Sequence, residues 1–199
     1  MNSLLLLPAL FTSDGGIERI LRLYVRAAGE LTPEGERLAV ILLNDAWVSA
    51  EQLAPYTTPA LQSVIACRRR KVECVWHTLR LARRSNRILC GHVHLLRLAQ
   101  FARTVTSCRE VWLVAHGVEV WKAPGKATTR SLRAADRILC VSDYTRRQMI
   151  AHDSGLSPER LVVHPNALDP LFNPAPTPPD RSEPGLILAV ARLSAAEGY

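Results

Sequence analysis

Polar and small residues able to do chemistry recur just past short apolar runs: Gly15-Gly16, Asn44-Asp45, His92-Val93-His94, His116-Gly117, Ser142-Asp143 and Asn166. Imidazoles titrate near neutral pH and serve as acid, base or hydrogen-bond partner. A glycine pair between a strand and a helix lets backbone N–H groups approach an anion or a sugar without interference from Cβ. No Gly-Lys-Ser/Thr follows Gly16, so this is not a phosphate-binding P-loop, and the G-x-G-x-x-G of dinucleotide binders is missing. A plain tight turn explains the pair equally well when it is taken alone. His92 and His94 are spaced like two metal ligands, yet no third or fourth ligand accompanies them. No metal is expected, and a rim or packing role is assigned. Arg68-Arg69-Arg70-Lys71 precedes a helical pattern in which Val72, Val75, Trp76, Leu79 and Ala82 share a face. Such a stretch is either a solvated face or a basic amphipathic helix docking on anionic lipid.

These residues need elements to hold them, and the chain alternates apolar runs with helical patterns. Strands are expected at Leu4–Leu10, Leu38–Leu43, Gln62–Cys67, Arg87–Cys90, Glu110–Ala115, Arg137–Val141 and Leu161–His164. Helices are expected at Ile17–Ala28, Val72–Arg84, Leu95–Arg103, Thr128–Ala135 and Asp143–His152, the last capped by Ser142 or Asp143. In the first helix Ile17, Ile20, Leu21, Tyr24 and Ala28 form the apolar face. "LAVILL" is continuously apolar, as a strand covered on both faces requires. "RILC" occurs twice, at Arg87–Cys90 and Arg137–Cys140, each after a basic helix, which fits two equivalent units of one parallel sheet. The expected fold is α/β, a Rossmann-like doubly wound parallel sheet with helices on both faces. Folds of this kind bind ligands at the carboxyl ends of their strands, where the polar residues fall.

The chain has 199 residues, 48% of them hydrophobic, enough for one good core. Its net charge of +7 favours an anionic partner. The aromatic-interleaved basic pattern of single-strand binders is absent, and no nucleic-acid partner is expected. Cys67, Cys74, Cys90, Cys108 and Cys140 form no C-x-x-C and are odd in number, so buried free thiols in a reducing cytoplasm are expected. "NSLLLLPALF" lacks a basic n-region and a convincing cleavage site and reads as a first strand. No apolar run is long enough to span a bilayer. Residues 1–169 read as one domain and the proline-rich 170–184 as a semi-rigid linker. Residues 185–199 read as the first strand of a second domain.

Several segments together resemble the N-terminal half of a GT-B glycosyltransferase of the retaining "group 1" kind, glycosyltransferase family four. They are "DGGIERI", "HGVEVW", "LRAADRILCVSDYTRRQM" and "LVVHPNALDPLFNP", followed by "LILAVARLSAAEGY", which is similar to the start of the family's nucleotide-sugar domain. The resemblance implies that Gly15 and Gly16 form a cleft wall close to a donor diphosphate. It makes His116 the histidine that reaches the transferred sugar, with Gly117 turning the chain beside it. Asn44, His92, Ser142 and Asn166 are assigned to the same donor and acceptor rim. Arg192 is similar to the arginine that binds donor phosphates with a lysine further on. That lysine and the family's carboxylate pair are not in this sequence. A nucleotide sugar is then a substrate, with no cofactor or metal required, and the acceptor is a glycan or a lipid-linked molecule. Cell-surface polysaccharide or lipopolysaccharide assembly is the setting implied, with a cytoplasmic location and attachment to the inner face of the plasma membrane through Arg68–Lys71. The chain is expected to be a truncated, catalytically incompetent part of the enzyme. Two other readings are a non-catalytic glycan- or membrane-binding module and a Rossmann oxidoreductase. The missing dinucleotide fingerprint counts against the second.

Overall fold

The computed structural model describes residues 2–13, 15–169 and 171. The linker and second-domain expectations, and Arg192, lie outside the described residues. Met1–Asp169 forms a compact unit.

The strands are β1 (Ser3–Leu7), β2 (Leu38–Leu42), β3 (Leu61–Ala66), β4 (Arg87–Cys90), β5 (Glu110–Ala115), β6 (Arg137–Cys140) and β7 (Leu161–Val163). The helices are α1 (Gly16–Glu30), α2 (Ala50–Leu53), α3 (Lys71–Ala82), α4 (Val93–Val105), α5 (Lys126–Arg133) and α6 (Asp143–His152). All seven strands pair in parallel in the order β3-β2-β1-β4-β5-β6-β7. The order reverses at β1, so the chain winds outward in both directions from a central strand. This is the Rossmann-like sheet expected from the sequence.

Side chains alternate across a strand, and β1 shows why its run of leucines is needed. Leu4 and Leu6 pack with Ile41, Ile88, Leu96, Leu113 and Ile138 on one face. Leu5 and Leu7 pack with Leu21, Val25, Val40 and Leu42 on the other. A central parallel strand buried on both sides must be apolar throughout. The first face is covered by α3, α4, α5 and α6 through Cys74, Ala99, Leu132 and Met149. On the second face every helical member of the core comes from α1. Beyond α1 lies a cavity of about 580 Å³ bounded by Tyr24, Leu89, Trp112 and Leu139.

The "RILC" repeats are β4 and β6, on either side of β5. All five cysteines are buried and free, and burial raises the thiols of Cys67 and Cys90 to about 12. One expectation is corrected and one element is new. The first strand stops at Leu7 instead of Leu10, because Asp45 takes the N–H groups of Leu10 and Phe11. The α1 face read in the sequence packs on the core through Ile17, Leu21, Tyr24 and Ala28, and Val25 and Gly29 are buried beside it. Helix α2 was not foreseen, being one turn long and capped by Ser49.

Candidate functional site

A parallel sheet sends every strand out at the same edge, so the loops after β1 to β6 share one rim. The strand order reverses beside β1, the place at which folds of this kind bind ligands. The rim has two halves of different chemistry.

On the β1–β3 half, the buried Asp45 clasps the glycine loop. Its carboxylate oxygens accept from Leu10 N–H and Phe11 N–H, both at 2.9 Å. Its carbonyl accepts from Arg68 N–H at 3.0 Å, tying the next loop to the same point. Gly15 and Gly16 differ. A Cβ on Gly15 would strike the Glu18 carboxylate, which sits at the start of α1 and complements the helix dipole. Glu18 is held there by Ser13 Oγ, which donates to it at 2.7 Å. A Cβ on Gly16 would meet nothing within 4 Å, so this glycine faces open space. Asn44 is half-buried, with its N–H donating to Pro8 O at 2.8 Å.

Arg68 and Arg69 follow β3 with φ of 52° and 63°, the left-handed region that non-glycine residues avoid. Backbone bonds impose this shape, since Arg69 N–H donates to Leu43 O at 2.7 Å. Arg68 Nε donates to Ala46 O at 3.0 Å, and Arg70 pairs with Glu73. Arg68, Arg69, Arg70 and Lys71 are all exposed, next to exposed Val72 and Trp76. The helix behind them turns Cys74, Thr78 and Ala82 inward, so Val72 and Trp76 do not join the core.

On the β4–β6 half, imidazoles converge. His92 caps α4, its Nδ1 accepting from His94 N–H at 3.2 Å. Its ring lies 4.6 Å from that of His94 and 6.4 Å, nearly parallel, from that of His116. Burial and the neighbouring His94 hold the His92 pKa below its usual value, against the opposing pull of Glu119. Both favour the neutral form of the imidazole. His116 Nε2 lies 2.9 Å from Gly91 O. A carbonyl only accepts, so Nε2 carries the proton and, in neutral His116, Nδ1 is left as a bare acceptor. The His116 N–H donates to Glu119 at 2.6 Å, which closes the turn after β5. Gly91 is dictated by packing, because a Cβ would fall 2.5 Å from Leu7 and 2.8 Å from Leu21 side-chain carbons. Gly117 has φ of 142° and carries the Trp121 ring against it.

Ser142 serves as the cap expected from the sequence, and Asn166 lies away from the rim. Ser142 Oγ caps α6 by accepting from Thr145 N–H at 3.1 Å. Asn166 lines the cavity on the α1 face with Tyr24 and Trp112. Gly91, Glu119 and the clasp made by Asp45 were not assigned from sequence. The carboxylate three residues after His116 was a readable signal, since that spacing suits a side chain returning to a backbone N–H. Among the described residues no group of three or more His, Cys, Asp or Glu is arranged to hold a metal, and no helix is long and apolar enough to cross a membrane.

Known structures share this architecture. HepE from Anabaena, in complex with UDP, is 18% identical with a TM-score of 0.60 over 85% of this chain and 45% of its own. The same protein with UDP-glucose gives 17% identity and a TM-score of 0.62 over 87% and 46%. The lipopolysaccharide outer core galactosyltransferase WaaB, in its apo form, is 16% identical with a TM-score of 0.59 over 92% and 50%. The chain carries a GT-B half-fold. It spans about half the length of these structures. No family model and no curated protein sequence matches it. In this GT-B half the imidazole cluster and the open Gly16 lie on the carboxyl rim.

Proposed function

We propose that the chain is the acceptor half of a retaining glycosyltransferase that moves a hexose from a nucleotide sugar to a glycan or lipid-linked acceptor, in cell-surface polysaccharide or lipopolysaccharide assembly. The observation that carries this is His116, fixed through Nε2 on a GT-B half-fold with Nδ1 left to accept. A neutral imidazole so held can take a hydrogen bond from a sugar hydroxyl and support positive charge developing at the transferred carbon. Gly16 leaves room for the donor at the start of α1, and Gly117 lets the chain turn beside it. Asn44 and His92 line the same rim, while Arg192 serves the donor phosphates from the second half. The UDP and UDP-glucose bound by HepE, and the reaction named for WaaB, favour this donor class. No metal or cofactor takes part in the proposal.

Arg68, Arg69, Arg70 and Lys71, beside exposed Val72 and Trp76, suit the cytoplasmic face of an anionic membrane, where each basic residue contributes on the order of 1 kcal/mol. Reversing Arg68, Arg69 and Arg70 to Glu should abolish salt-sensitive binding to phosphatidylglycerol vesicles. Equal binding to neutral vesicles refutes that attachment.

The function is tested by offering labelled nucleotide sugars and membrane extract to this chain and to a protein extended by a nucleotide-sugar half. Transfer by the extended protein, lost in His116→Ala and absent from the 199-residue chain alone, is expected. An extended protein that folds and uses no nucleotide sugar overturns the reading. Transfer by the chain alone overturns its proposed incompetence.

A further inference from the structure

Among the described residues, two large aromatic side chains stand exposed beside the imidazoles. Trp121 is 38% and Tyr144 50% exposed. One follows the turn after β5 and the other lies in the first turn of α6, so both belong to the carboxyl rim. Their rings meet edge to face, 5.2 Å apart at 88°. A cluster of this size on a surface marks contact with a ligand more often than a lone apolar residue does.

The indole is held from behind. Trp121 Nε1 donates to Thr145 Oγ1 at 3.2 Å. Thr145 is fully buried, and its hydroxyl lies 3.1 Å from Ser142 Oγ, the cap of α6. The ring also rests on Gly117, where a Cβ would come within 3.1 Å of Cζ2. Gly117 thus has two reasons to be glycine, its positive φ and the ring against it. An aromatic held by its N–H and by a backbone shelf keeps its orientation without a ligand, so binding need not order it.

We infer that Trp121 and Tyr144 form a carbohydrate platform that seats a pyranose ring of the glycan acceptor next to His116. The inference rests on the glycosyltransferase reading and names the part of the acceptor that this rim recognises. One face of a pyranose presents C–H groups carrying slight positive charge, and the face of an aromatic ring is negative. Stacking then sets the height of the sugar, leaving its hydroxyls to Nδ1 of His116 and to the Glu119 turn. A protein or lipid partner would not need a ring fixed against Gly117, the residue that follows the histidine proposed to contact the sugar.

The test is binding by the full 199-residue chain, followed by NMR of the Trp121 indole N–H and the Tyr144 ring. The probes are methyl α- and β-glucosides, methyl α- and β-galactosides, maltotriose and cellotriose. At least one should shift both residues together and saturate, with its own C–H protons moved upfield by the ring current. Trp121→Ala should weaken that sugar on the order of tenfold. Tyr144→Ala, which removes a half-exposed ring, should weaken it several-fold with the spectrum otherwise folded. Sugars that shift neither residue, or that bind Tyr144→Ala as they bind the native chain, overturn the platform. The readout is independent of turnover. Transfer by the extended enzyme without these shifts refutes the platform alone, while sugar binding here without any nucleotide-sugar use refutes the enzyme reading and leaves the platform standing.

Discussion

The two halves of the carboxyl rim use their polar residues to different ends. Beside β1, β2 and β3, side chains bind backbone. Asp45 holds Leu10 and Phe11, Glu18 fills the space over Gly15, and Arg68 bonds to Ala46 O. Beside β4, β5 and β6, His92, Glu119 and Ser142 also close turns, but there backbone in addition holds ring side chains. Gly91 O fixes His116, and the shelf at Gly117 supports Trp121. The first half is a wall whose shape matters, and the second presents ring nitrogens and ring faces. A perturbation should therefore damage stability on the first side and recognition on the second.

The largest effect should come from Asp45→Ala. This removes two charge-assisted bonds and leaves the N–H groups of Leu10 and Phe11 without their acceptor. A loss of about 3 kcal/mol is expected, from the net value of such bonds and the penalty for unsatisfied groups. Urea unfolding measures it, and Asp45→Asn should recover part of the loss. A change well below 1 kcal/mol would mean that the wall is held by something else. Gly91→Ala tests the seam between the halves. The added methyl is driven into Leu7 and Leu21, with an expected loss of about 1–3 kcal/mol for overpacking. It should also move the carbonyl that holds His116, visible as a changed Nε2–H signal. Unaltered stability together with an unaltered histidine would separate the core from the site.

Much of this contrast was legible in the sequence, for physical reasons. The winding of the sheet follows from apolar runs spaced by helical patterns, and the leucines of β1 announce a strand buried on two faces. The histidines and glycines at strand ends were readable because a parallel sheet sends all of them to one edge. Partnerships were not readable. Nothing local tells that Asp45 reaches back to Leu10, or that Gly91 is small because Leu21 on another element presses against it. Asn166 shows the converse error: a residue just beyond a strand end was assigned to the rim, and the chain after β7 carries it to the α1 face instead. Trp76 is exposed, as either reading of its helix, solvated face or lipid-docking face, requires.

A smaller effect concerns pH. His92 has its pKa held below the unfolded value by burial and by His94. The unfolded chain then binds the proton more readily, so stability rises with pH across this window and falls on acidification below about 6.5. Urea midpoints between pH 5 and 8 should show that slope in the native chain. His92→Asn keeps a good helix cap and should flatten it. An equal slope in both proteins would assign the titration to another group.

The smallest effect should have the opposite sign, and it bears on why the wall carries arginines at all. Arg69 sits at φ 63°, which costs a side-chain-bearing residue about 1–2 kcal/mol relative to the right-handed region. Glycine adopts that angle freely but loses roughly 0.5–1 kcal/mol more chain entropy on folding. Arg69→Gly should therefore leave stability unchanged or raise it by a few tenths of a kcal/mol, since the Arg69 N–H bond to Leu43 O survives the change. Arg68→Gly should gain nothing, because it also loses the bond from Nε to Ala46 O. Thermal unfolding of the two variants side by side distinguishes these outcomes. A marked loss in Arg69→Gly would show that its side chain braces the wall. A small gain accompanied by weaker binding to anionic vesicles would show that the strained backbone is kept because it holds a guanidinium outward, toward the phosphate of a lipid surface.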